Sequence, residues 1–355
     1  MSIKLKFVEP AVIPVTETDL VRKVELAYRI CYKSEDKVNE NSKQLVARLA
    51  NNRAVNRHTS PLEHAWIKVT LTPVQMIYLE PFVETNRYLT IDNNSIIGNF
   101  RMFHDFLIDH TVEHDGKWHC GLSVVRELAS ALHGKYPEIF PKLTPGTTEW
   151  KISDDESGPV KRAFTYDLKV EEYPDYRTFR IVTTRDILQE LVRHRTMSFS
   201  VESTRYCNYG KRGYQFVIPR PYEWANESDW DPTQVDGWYA NHVMETKTVE
   251  ITNQWGEGVG VRYVQLNVSE LIERELPMYQ LFIANCYNCA MRYDRAVNLG
   301  IAPQEARMLL PGGLKTELFM TGTNDQWQHF LKLRLDQHAH PQIRFLSEQI
   351  ASYLK

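Results

Sequence analysis

The spacing of apolar residues along the chain predicts a mixed α/β protein whose two ends are mainly helical. Apolar positions recur at helical spacing after the capping residue Thr18, and again over residues 44–54. Residues 65–71 and 177–182 are rich in β-branched side chains and partly alternate, so both are predicted as strands. Further helices are predicted at 95–110, 122–133, 235–254, 269–298, 303–310, 324–334 and 341–354.

The two predicted strands are separated by an unusually long interval. This interval holds two of the predicted helices and then, over residues 145–159, a stretch rich in Gly, Pro and Asp. Such a composition is typical of a loop without secondary structure of its own. We therefore expect an inserted edge in this part of the chain.

Composition and charge narrow the class of protein. The chain has 355 residues, 43% of them hydrophobic, which is enough to bury a full core. Its 42 basic and 45 acidic residues nearly cancel, so no global positive field attracts nucleic acid. The odd number of cysteines, five, does not form a disulfide framework, and no stretch of the sequence is apolar enough for a leader or a membrane span. We expect a globular cytoplasmic enzyme that binds neither membrane nor nucleic acid.

Cations and hydroxyls crowd into one short segment. Thr184 is placed to cap a helix that ends in Arg193-His194-Arg195, where cations also complement the dipole of the helix. That explanation is the simpler one for the triplet alone. It does not account for the hydroxyls and the further guanidinium that follow at once, namely Ser198, Ser200, Ser203, Thr204 and Arg205. Guanidinium, hydroxyl and backbone N–H groups together surround phosphate oxygens, so the segment predicts a nucleotide ligand.

A second arginine lies on an apolar helical face. Trp327, Phe330 and Arg334 fall at helical spacing, so the Arg334 guanidinium is expected to need an anion or a carbonyl partner. An internal ion pair with Glu or Asp fits this pattern as well as a ligand does. Arg307 follows another short predicted helix, so arginines from separate regions are predicted to converge on one anionic ligand.

The arrangement of these residues resembles a known family. Arg193-His194-Arg195, followed after seven residues by Ser203, is similar to the signature of the flavin-dependent thymidylate synthases. Residues 60–64, 306–311 and 329–334 resemble segments that flank the signature in that family. The resemblance implies an α/β fold of the α+β type, with helices packed on a central sheet. It also implies a homotetramer whose active sites draw on several subunits.

The resemblance implies a reaction and its site residues. The reaction is reductive methylation of dUMP to dTMP, with methylene-tetrahydrofolate as carbon donor and FAD reduced by NADPH or NADH. Arg334 would be the catalytic residue, lying against the uracil ring, and His58 and Tyr206 would face the folate or the flavin. The dUMP site would comprise Glu190, Arg193, Val201, Glu202, Ser203, Thr204, Arg205, Arg307 and Arg334. The FAD site would comprise Ser60, Glu63, Arg193, His194, Arg195, Thr323, Asp325 and His329.

Several positions depart from the pattern of the family. Glu190 stands where a Gln is usual, Thr323 and Asp325 stand where an Asn and an Arg are usual, and Val201 replaces a frequent polar residue. Residues 72–176 exceed the short connection of compact members. We therefore expect one domain over residues 1–355 that contains an insertion at about 72–176.

Other patterns indicate weaker alternatives. Cys286 and Cys289 form a C-x-x-C inside a predicted apolar helix, where a pair of core residues is the simpler explanation. His110, His114, His119 and Cys120 match no standard metal-ligand spacing, and residues 256–260 are glycine-rich without a dinucleotide-binding pattern. We expect no metal site and no Cys207 nucleophile.

A different class of function is open to the same segment. Over residues 193–216 basic residues mix with aromatic ones, so an RNA- or single-strand-binding protein is the alternative reading of the chemistry. The nearly neutral net charge of -3 argues against it.

Overall fold

The structure is a computed structural model that describes residues 5–39, 42–51, 58–84, 86, 89–114, 117–145, 168–222 and 278–355. It is a mixed α/β protein, as the sequence predicts. The strands, in chain order, are β1 (Leu5–Val8), β2 (Ala11–Pro14), β3 (Trp66–Thr70), β4 (Thr90–Asp92), β5 (Ser95–Asn99), β6 (Val112–His114), β7 (Lys117–Cys120), β8 (Leu143–Pro145), β9 (Lys169–Glu172), β10 (Tyr176–Thr184), β11 (Ser198–Val201), β12 (Tyr214–Val217) and β13 (Lys315–Thr323).

Helices occur in every part of the described chain. In chain order they are α1 (Leu20–Tyr32), α2 (Ser42–Asn51), α3 (Pro73–Glu84), α4 (Phe100–Asp109), α5 (Ser123–Lys135), α6 (Arg185–Leu191), α7 (Tyr209–Arg212), α8 (Met278–Asn298), α9 (Pro303–Ala306), α10 (Asn324–Arg334) and α11 (Pro341–Tyr353). Within the described residues, no helix is both long enough and apolar enough to cross a membrane.

The central sheet carries the candidate site. Its strand order is β11-β13-β10-β2, and each neighbouring pair is antiparallel. Side chains alternate between the two faces of a strand. One face therefore presents apolar residues such as Phe179 and Met320, which pack against Trp327 and Phe330 of α10 and Ile343 of α11. Burial of each such side chain stabilises the fold by roughly 1.5–3 kcal/mol.

The other face of the central sheet is more polar. Thr178 and Arg180 of β10 lie opposite Thr321 and Phe319 of β13 in register. Phe319 packs on Ala27 and Ile30 of α1, and this small apolar cluster is flanked by hydroxyl and charged groups. The face that receives α1 can therefore hold buried hydrogen bonds and ion pairs close to the candidate site.

A second sheet and five helices form the largest apolar core. The strand order is β4-β5-β3-β9, again antiparallel throughout. Phe100 and Phe103 of α4 pack with Leu128 of α5 and with Val24 and Tyr28 of α1. The described part of the 72–176 interval therefore shares its core with α1, which precedes it in the chain. A third, smaller cluster joins the parallel pair β1 and β12 to α8.

Most predicted elements are confirmed. The predicted helices at 44–54, 122–133, 324–334 and 341–354 correspond to α2, α5, α10 and α11. The predicted strands at 65–71 and 177–182 correspond to β3 and β10. Of the predicted helix at 303–310, only Pro303–Ala306 is α-helical, and Arg307–Leu309 continues as a 3-10 turn.

The prediction for residues 95–110 is wrong in its first part. Ser95–Asn99 is a fully buried strand between β3 and β4, and α4 begins only after it. The Asn99 side chain caps α4 by accepting a hydrogen bond from Met102 N at 3.0 Å. This five-residue segment is buried on both faces, so it shows no alternation that would separate a strand from a helix. The short strands β4 and β6 to β9 were also missed, so the interval between the two predicted strands is not free of strand.

Some predictions lie outside the described residues. These are the helix at 235–254, the glycine-rich turn at 256–260, the first part of the helix at 269–298 and nearly all of the loop at 145–159.

Candidate active site

A turn after β11 presents the hydroxyl and guanidinium groups that the sequence predicts at a phosphate. In this 203–205 turn, Ser203 is half-buried and Arg205 is exposed. Ser203 N donates to the carbonyl oxygen of Cys31 in α1 at 3.0 Å, and Arg205 N donates to Ser203 Oγ at 3.3 Å. The backbone of the turn is thus fixed while the Arg205 guanidinium stays in solvent.

Arg307 reaches the same turn from another part of the chain. Its Nη1 donates to Thr204 Oγ1 at 3.1 Å. Thr204 and Arg307 line a cleft of about 600 Å³, whose wall also includes Arg185, Gln189 and Gly312. The same wall carries two carboxylates, Asp186 and Glu305, so a small anionic ligand would be received at the guanidinium groups of Arg185 and Arg307 and at the Thr204 hydroxyl. Arg205 and Arg307 thus lie at one turn, and the predicted convergence of arginines on one anionic ligand stays a prediction.

An aromatic surface adjoins the turn. The exposed ring of Tyr206 lies 5.5 Å from the ring of Tyr32, and Tyr32 meets His58 edge-on at 5.9 Å. The Arg205 guanidinium stands 5.6 Å from the Tyr206 ring centre, within reach of a cation–π contact. Burial lowers the pKa of His58, which favours the neutral imidazole. His58 and Tyr206, which the resemblance links to the folate or flavin, are thus joined through Tyr32.

Arg334 is hydrogen-bonded to Glu190 of helix α6 and to His194, which follows that helix. Its Nε donates to His194 Nε2 at 2.8 Å, Nη1 to Glu190 Oε2 at 3.2 Å and Nη2 to the Glu190 carbonyl oxygen at 3.1 Å. Burial and then the Arg334 charge lower the pKa of His194 to about 4, so a neutral imidazole accepts this bond. The ion-pair explanation for Arg334 therefore holds. A guanidinium has five N–H donors, so two remain for a ligand.

The other residues near Arg334 are either exposed or bonded to neighbouring residues of the chain. Arg193 and Arg195 flank His194 in solvent, and His329 lies close enough to lower the pKa of His194 further. Thr323 caps α10 by accepting from Gln326 N at 3.4 Å, and Gln326 reciprocates by accepting from Thr323 N at 2.8 Å. Asp325 is exposed in the first turn of α10, where a carboxylate complements the helix dipole. Local roles thus account for the two departures on α10.

Ser60 and Glu63 lie in a 3-10 turn, Ser60–His64, ahead of β3. Ser60 is half-buried, and the Glu63 carboxylate forms a close ion pair with Arg101 of α4. Arg101 also contacts Asp105 at 3.2 Å. The Glu63 side chain is therefore bound to a residue of the 72–176 interval.

Ser198 and Ser200 are not in the loop to which the sequence analysis assigned them. Both are buried in β11, and Ser200 Oγ lies 2.9 Å from His64 Nε2. On its other side, His64 Nδ1 lies 2.7 Å from Thr321 Oγ1. Burial, with a smaller effect of Lys23, lowers the pKa of His64 to about 3, so the ring is neutral. The Ser200 and Thr321 hydroxyls thus satisfy a buried histidine, and Ser200 is correspondingly unavailable to a phosphate.

Val201 and Glu202 connect β11 to the 203–205 turn. Val201 pairs with Leu318 of β13, which leaves its backbone tied to the sheet. The Glu202 carboxylate is buried, where it accepts from Tyr209 OH at 3.3 Å and pairs with Lys33 and Lys315. Its oxygens are thus engaged by protein groups.

The cysteines are placed as core residues. Cys207 is fully buried, and burial raises the pKa of its thiol, to which Glu202 adds. Cys286 is buried in α8, and burial raises the pKa of that thiol as well, whereas Cys289 is half-buried. Among the residues that the structure describes, no three His, Cys, Asp or Glu side chains cluster as metal ligands would.

Only some of the aromatic residues of segment 193–216 are exposed enough to stack on nucleobases. Tyr209 and Tyr214 are 2% and 3% exposed and pack around Tyr293 of α8. Buried rings cannot stack on nucleobases. Tyr206 is exposed, and Phe199 is half-buried. This burial removes two of the four rings on which the RNA-binding alternative depends.

The described chain thus brings the predicted residues into two main groups, one around the 203–205 turn and one around Arg334. Sequence reasoning missed the partners that hold them, chiefly Tyr32, Lys33 and Lys315. For Lys315 the one local signal is its charge opposite to that of Glu317, two residues further along the same face of strand β13. Tyr32 and Lys33 end an ordinary amphipathic helix and carry no comparable signal.

Comparisons with known proteins identify a related family. A sequence model of the family described as thymidylate synthase complementing protein matches residues 172–355, just over half of the chain. A probable flavin-dependent thymidylate synthase of Mycobacterium phage L5 is 26% identical over 178 residues, which cover 50% of this chain and 57% of that protein. The flavin-dependent thymidylate synthase of Corynebacterium efficiens is 27% identical over 172 residues, covering 48% and 54%. The chain therefore spans little more than half the length of these relatives.

Similarity to solved structures is low. A UMP/dUMP methylase, PolB, from Streptomyces cacaoi, solved with 5-Br dUMP, gives a TM-score of 0.35 at 16% identity, covering 99% of this chain and 92% of that one. Thymidylate synthase X from Helicobacter pylori, solved with FAD and dUMP, gives 0.32 at 15% identity, covering 98% and 93%.

Proposed function

The chain belongs to the family of flavin-dependent thymidylate synthases, the thymidylate synthase complementing proteins, and on that premise we propose that it converts dUMP into dTMP by reductive methylation. The carbon would come from methylene-tetrahydrofolate, and tetrahydrofolate would leave. Bound FAD, reduced by NADPH or NADH, would supply the hydride that completes the methyl group. The residues of the chain bind, orient and stabilise charge.

The observation that carries the proposal is the 203–205 turn with Arg307 bonded to it at the rim of the cleft. Ser203 offers a hydroxyl, Arg205 offers an exposed guanidinium, and Arg307 adds a second guanidinium. Such groups bind phosphate oxygens through short, charge-assisted hydrogen bonds. We assign this turn to the phosphate of dUMP.

Arg334 acts on the uracil ring in this proposal. Glu190 and His194 fix its guanidinium, which leaves two N–H donors in a set direction. Donors that are already oriented stabilise negative charge as it develops on the ring carbonyl and ring nitrogen. The partial burial of Arg334, with a side-chain exposure of 19%, strengthens that interaction.

The donor set beside His194 fits the diphosphate of FAD. Arg193 and Arg195 are exposed, and neither side chain is engaged in an ion pair within the described residues. His194 is neutral and would contact the cofactor through Nδ1, because Nε2 accepts from Arg334. Asp325 offers no donor, so these arginines would carry the binding of the diphosphate.

The two groups of site residues support the proposal of a homotetramer. The hydrogen bonds of the 203–205 turn and of Arg334 are made to separate sets of residues. An active site assembled from several subunits would bring the phosphate-binding group of one chain to the Arg334 group of another. Sedimentation of the purified protein at several concentrations tests this assembly.

No thiol takes part in the proposed chemistry. A cysteine nucleophile requires a thiolate, whereas burial and Glu202 both hold the pKa of Cys207 above its usual range. Substrate activation therefore depends on Arg334 and on the cofactor.

The decisive experiment combines a spectrum with a product assay. The protein should purify yellow or take up FAD stoichiometrically. With NADPH, methylene-tetrahydrofolate and dUMP, it should form dTMP and tetrahydrofolate. A protein that ignores FAD, forms no dTMP and binds single-stranded RNA would overturn the proposal.

A further inference from the structure

A buried chain of charges lies directly beneath the 203–205 turn. The Lys315 and Glu202 side chains are only 5% and 2% exposed, and Lys315 Nζ lies 3.6 Å from Glu202 Oε2. Lys315 also forms a shorter ion pair with Glu317, which in turn pairs with Arg180. Charged groups removed from water in this way persist only where each has a partner.

Glu202 precedes the turn, and its carboxylate is held from three elements. Lys315 approaches from β13, Lys33 from the end of α1 at 3.4 Å, and Tyr209 OH donates from α7 at 3.3 Å. Glu202 N donates to the carbonyl oxygen of Glu317 at 2.9 Å. One residue therefore fixes the point at which the chain leaves the sheet and enters the turn.

Lys315 stands between two carboxylates, those of Glu202 and Glu317. Burial would raise the pKa of Glu317, but the adjacent Lys315 and Arg180 hold it below its usual range. Without the ammonium, the buried Glu202 and the partly buried Glu317 would lose the cation between them, and each would keep one other, Lys33 or Arg180. Repulsion would displace Glu202 and, with it, Ser203 and Thr204, to which Arg307 is bonded.

We propose that Lys315 is a positioning residue for the phosphate turn. It balances the charges of Glu202 and Glu317, and it thereby holds the Ser203 hydroxyl and the Thr204–Arg307 bond in the geometry that receives an anion. Lys315 itself does not touch the nucleotide. This inference rests on the assignment of the turn to dUMP.

The test compares substitutions at Lys315. Lys315→Met removes the ammonium and keeps an unbranched side chain, so the KM for dUMP should rise by about tenfold or more while kcat and FAD content stay close to wild type. Lys315→Arg retains the charge and should restore most of the affinity. Lys68→Met is the matched control, because it breaks a lysine–carboxylate pair of 2.7 Å, with Asp92, in the other sheet. It should leave the KM unchanged.

A second variant separates charge balance from packing. Adding Glu317→Gln to Lys315→Met removes the like-charge repulsion, so the KM should return towards the wild-type value. If all folded Lys315 variants bind dUMP as wild type does and lose only unfolding free energy, the lysine is purely structural and the proposal is overturned. A wild-type enzyme that neither binds dUMP nor forms dTMP would instead overturn the proposed function.

Discussion

Arg334 is held by Glu190 and His194, which leaves two N–H donors for the substrate. We expect the loss of these donors to lower turnover more than any other single substitution. A fixed donor stabilises charge that develops in the transition state more than it stabilises bound substrate. Arg334→Ala should keep FAD and dUMP but lower turnover by about a hundredfold to a thousandfold. Arg334→Lys should recover little, because an ammonium lacks the planar fork of the guanidinium.

Release of tritium from carbon 5 of labelled dUMP measures this step for both Arg334 variants. Flavin content and dUMP binding serve as controls for folding and for the site. Near-normal tritium release in Arg334→Ala would leave the arginine with only its ion pair to Glu190, and uracil activation would lie elsewhere.

Substitution of Cys207, in contrast to Arg334, should change turnover little, since its thiol is buried and held protonated. Cys207→Ala should leave turnover within about tenfold, which corresponds to roughly 1.4 kcal/mol in the barrier. Cys286→Ala is the matched control, because Cys286 belongs to the same apolar cluster. Both variants should lose similar unfolding free energy, about 1 kcal/mol, and similar activity. A complete loss of turnover in folded Cys207→Ala alone would restore the nucleophile hypothesis.

The site residues differ from the residues that hold them in how far the sequence predicts them. Ser203, Arg205 and Arg334 could be proposed as site residues because short local patterns in the sequence indicate their chemistry. The residues that hold them in place could not be predicted in this way. Lys315 reaches Glu202, and His64 reaches Ser200, only because distant segments become neighbouring strands and turns. Ser200 was misassigned for the same reason, since its hydroxyl suits a phosphate and a buried imidazole equally well.

At the scale of elements, helix α10 carries Arg334 and begins at a capping box formed by Thr323 and Gln326. Thr323→Ala should therefore lower the unfolding free energy by about 1 kcal/mol. Flavin affinity should change little, because the hydroxyl already accepts from Gln326 N. Asn324→Ala, at an exposed neighbouring position, should cost less than half as much. Urea unfolding and flavin titration distinguish the two roles. A loss of flavin affinity without a loss of stability would assign Thr323 to the cofactor.

Elements with strong periodicity were predictable, and buried short strands were not. Helices α10 and α11 have clear apolar spacing and begin at recognisable residues, the Thr323 cap and Pro341, and their predictions are confirmed. Ser95–Asn99 is buried throughout, so it lacks the alternation of a half-exposed strand. Its position between β3 and β4 follows from the packing of the second sheet, which local propensity does not encode.

At the scale of the whole molecule, two apolar cores meet at the Ser60–His64 turn. Leu62 is buried in the larger core, whereas His64 bonds to β11 and β13 of the central sheet. Arg101, within the 72–176 interval, also reaches this turn through Glu63. The single-domain prediction with an insertion at 72–176 remains a prediction. We propose that the 72–176 interval stabilises the position of the Ser60–His64 turn, because the interval shares an apolar core with α1 and Arg101 contacts Glu63 of that turn.

The buried, neutral His64 makes the stability of this junction depend on pH. Its pKa falls from 6.5 to about 3 on folding, so the unfolded state binds more protons between these values. Stability should therefore be complete above pH 6.5 and decrease as the pH falls towards 3. Since each unit of pH corresponds to about 1.4 kcal/mol per proton, His64 should cost about 2 kcal/mol at about pH 5. His194, with its pKa lowered to about 4, acts in the same direction.

Urea unfolding at neutral pH and at about pH 5 tests this dependence in wild type and in two variants. His64→Asn cannot take up the proton, so it should be less stable at neutral pH and should lose less on acidification than wild type does. His338→Gln removes a ring that is 84% exposed, and it should follow the wild-type curve. Protonation would place a charge on a fully buried ring, so acidification should weaken the contact that His64 makes between the Ser60–His64 turn and the central sheet. Equal acid sensitivity in wild type and His64→Asn would show that other groups control it.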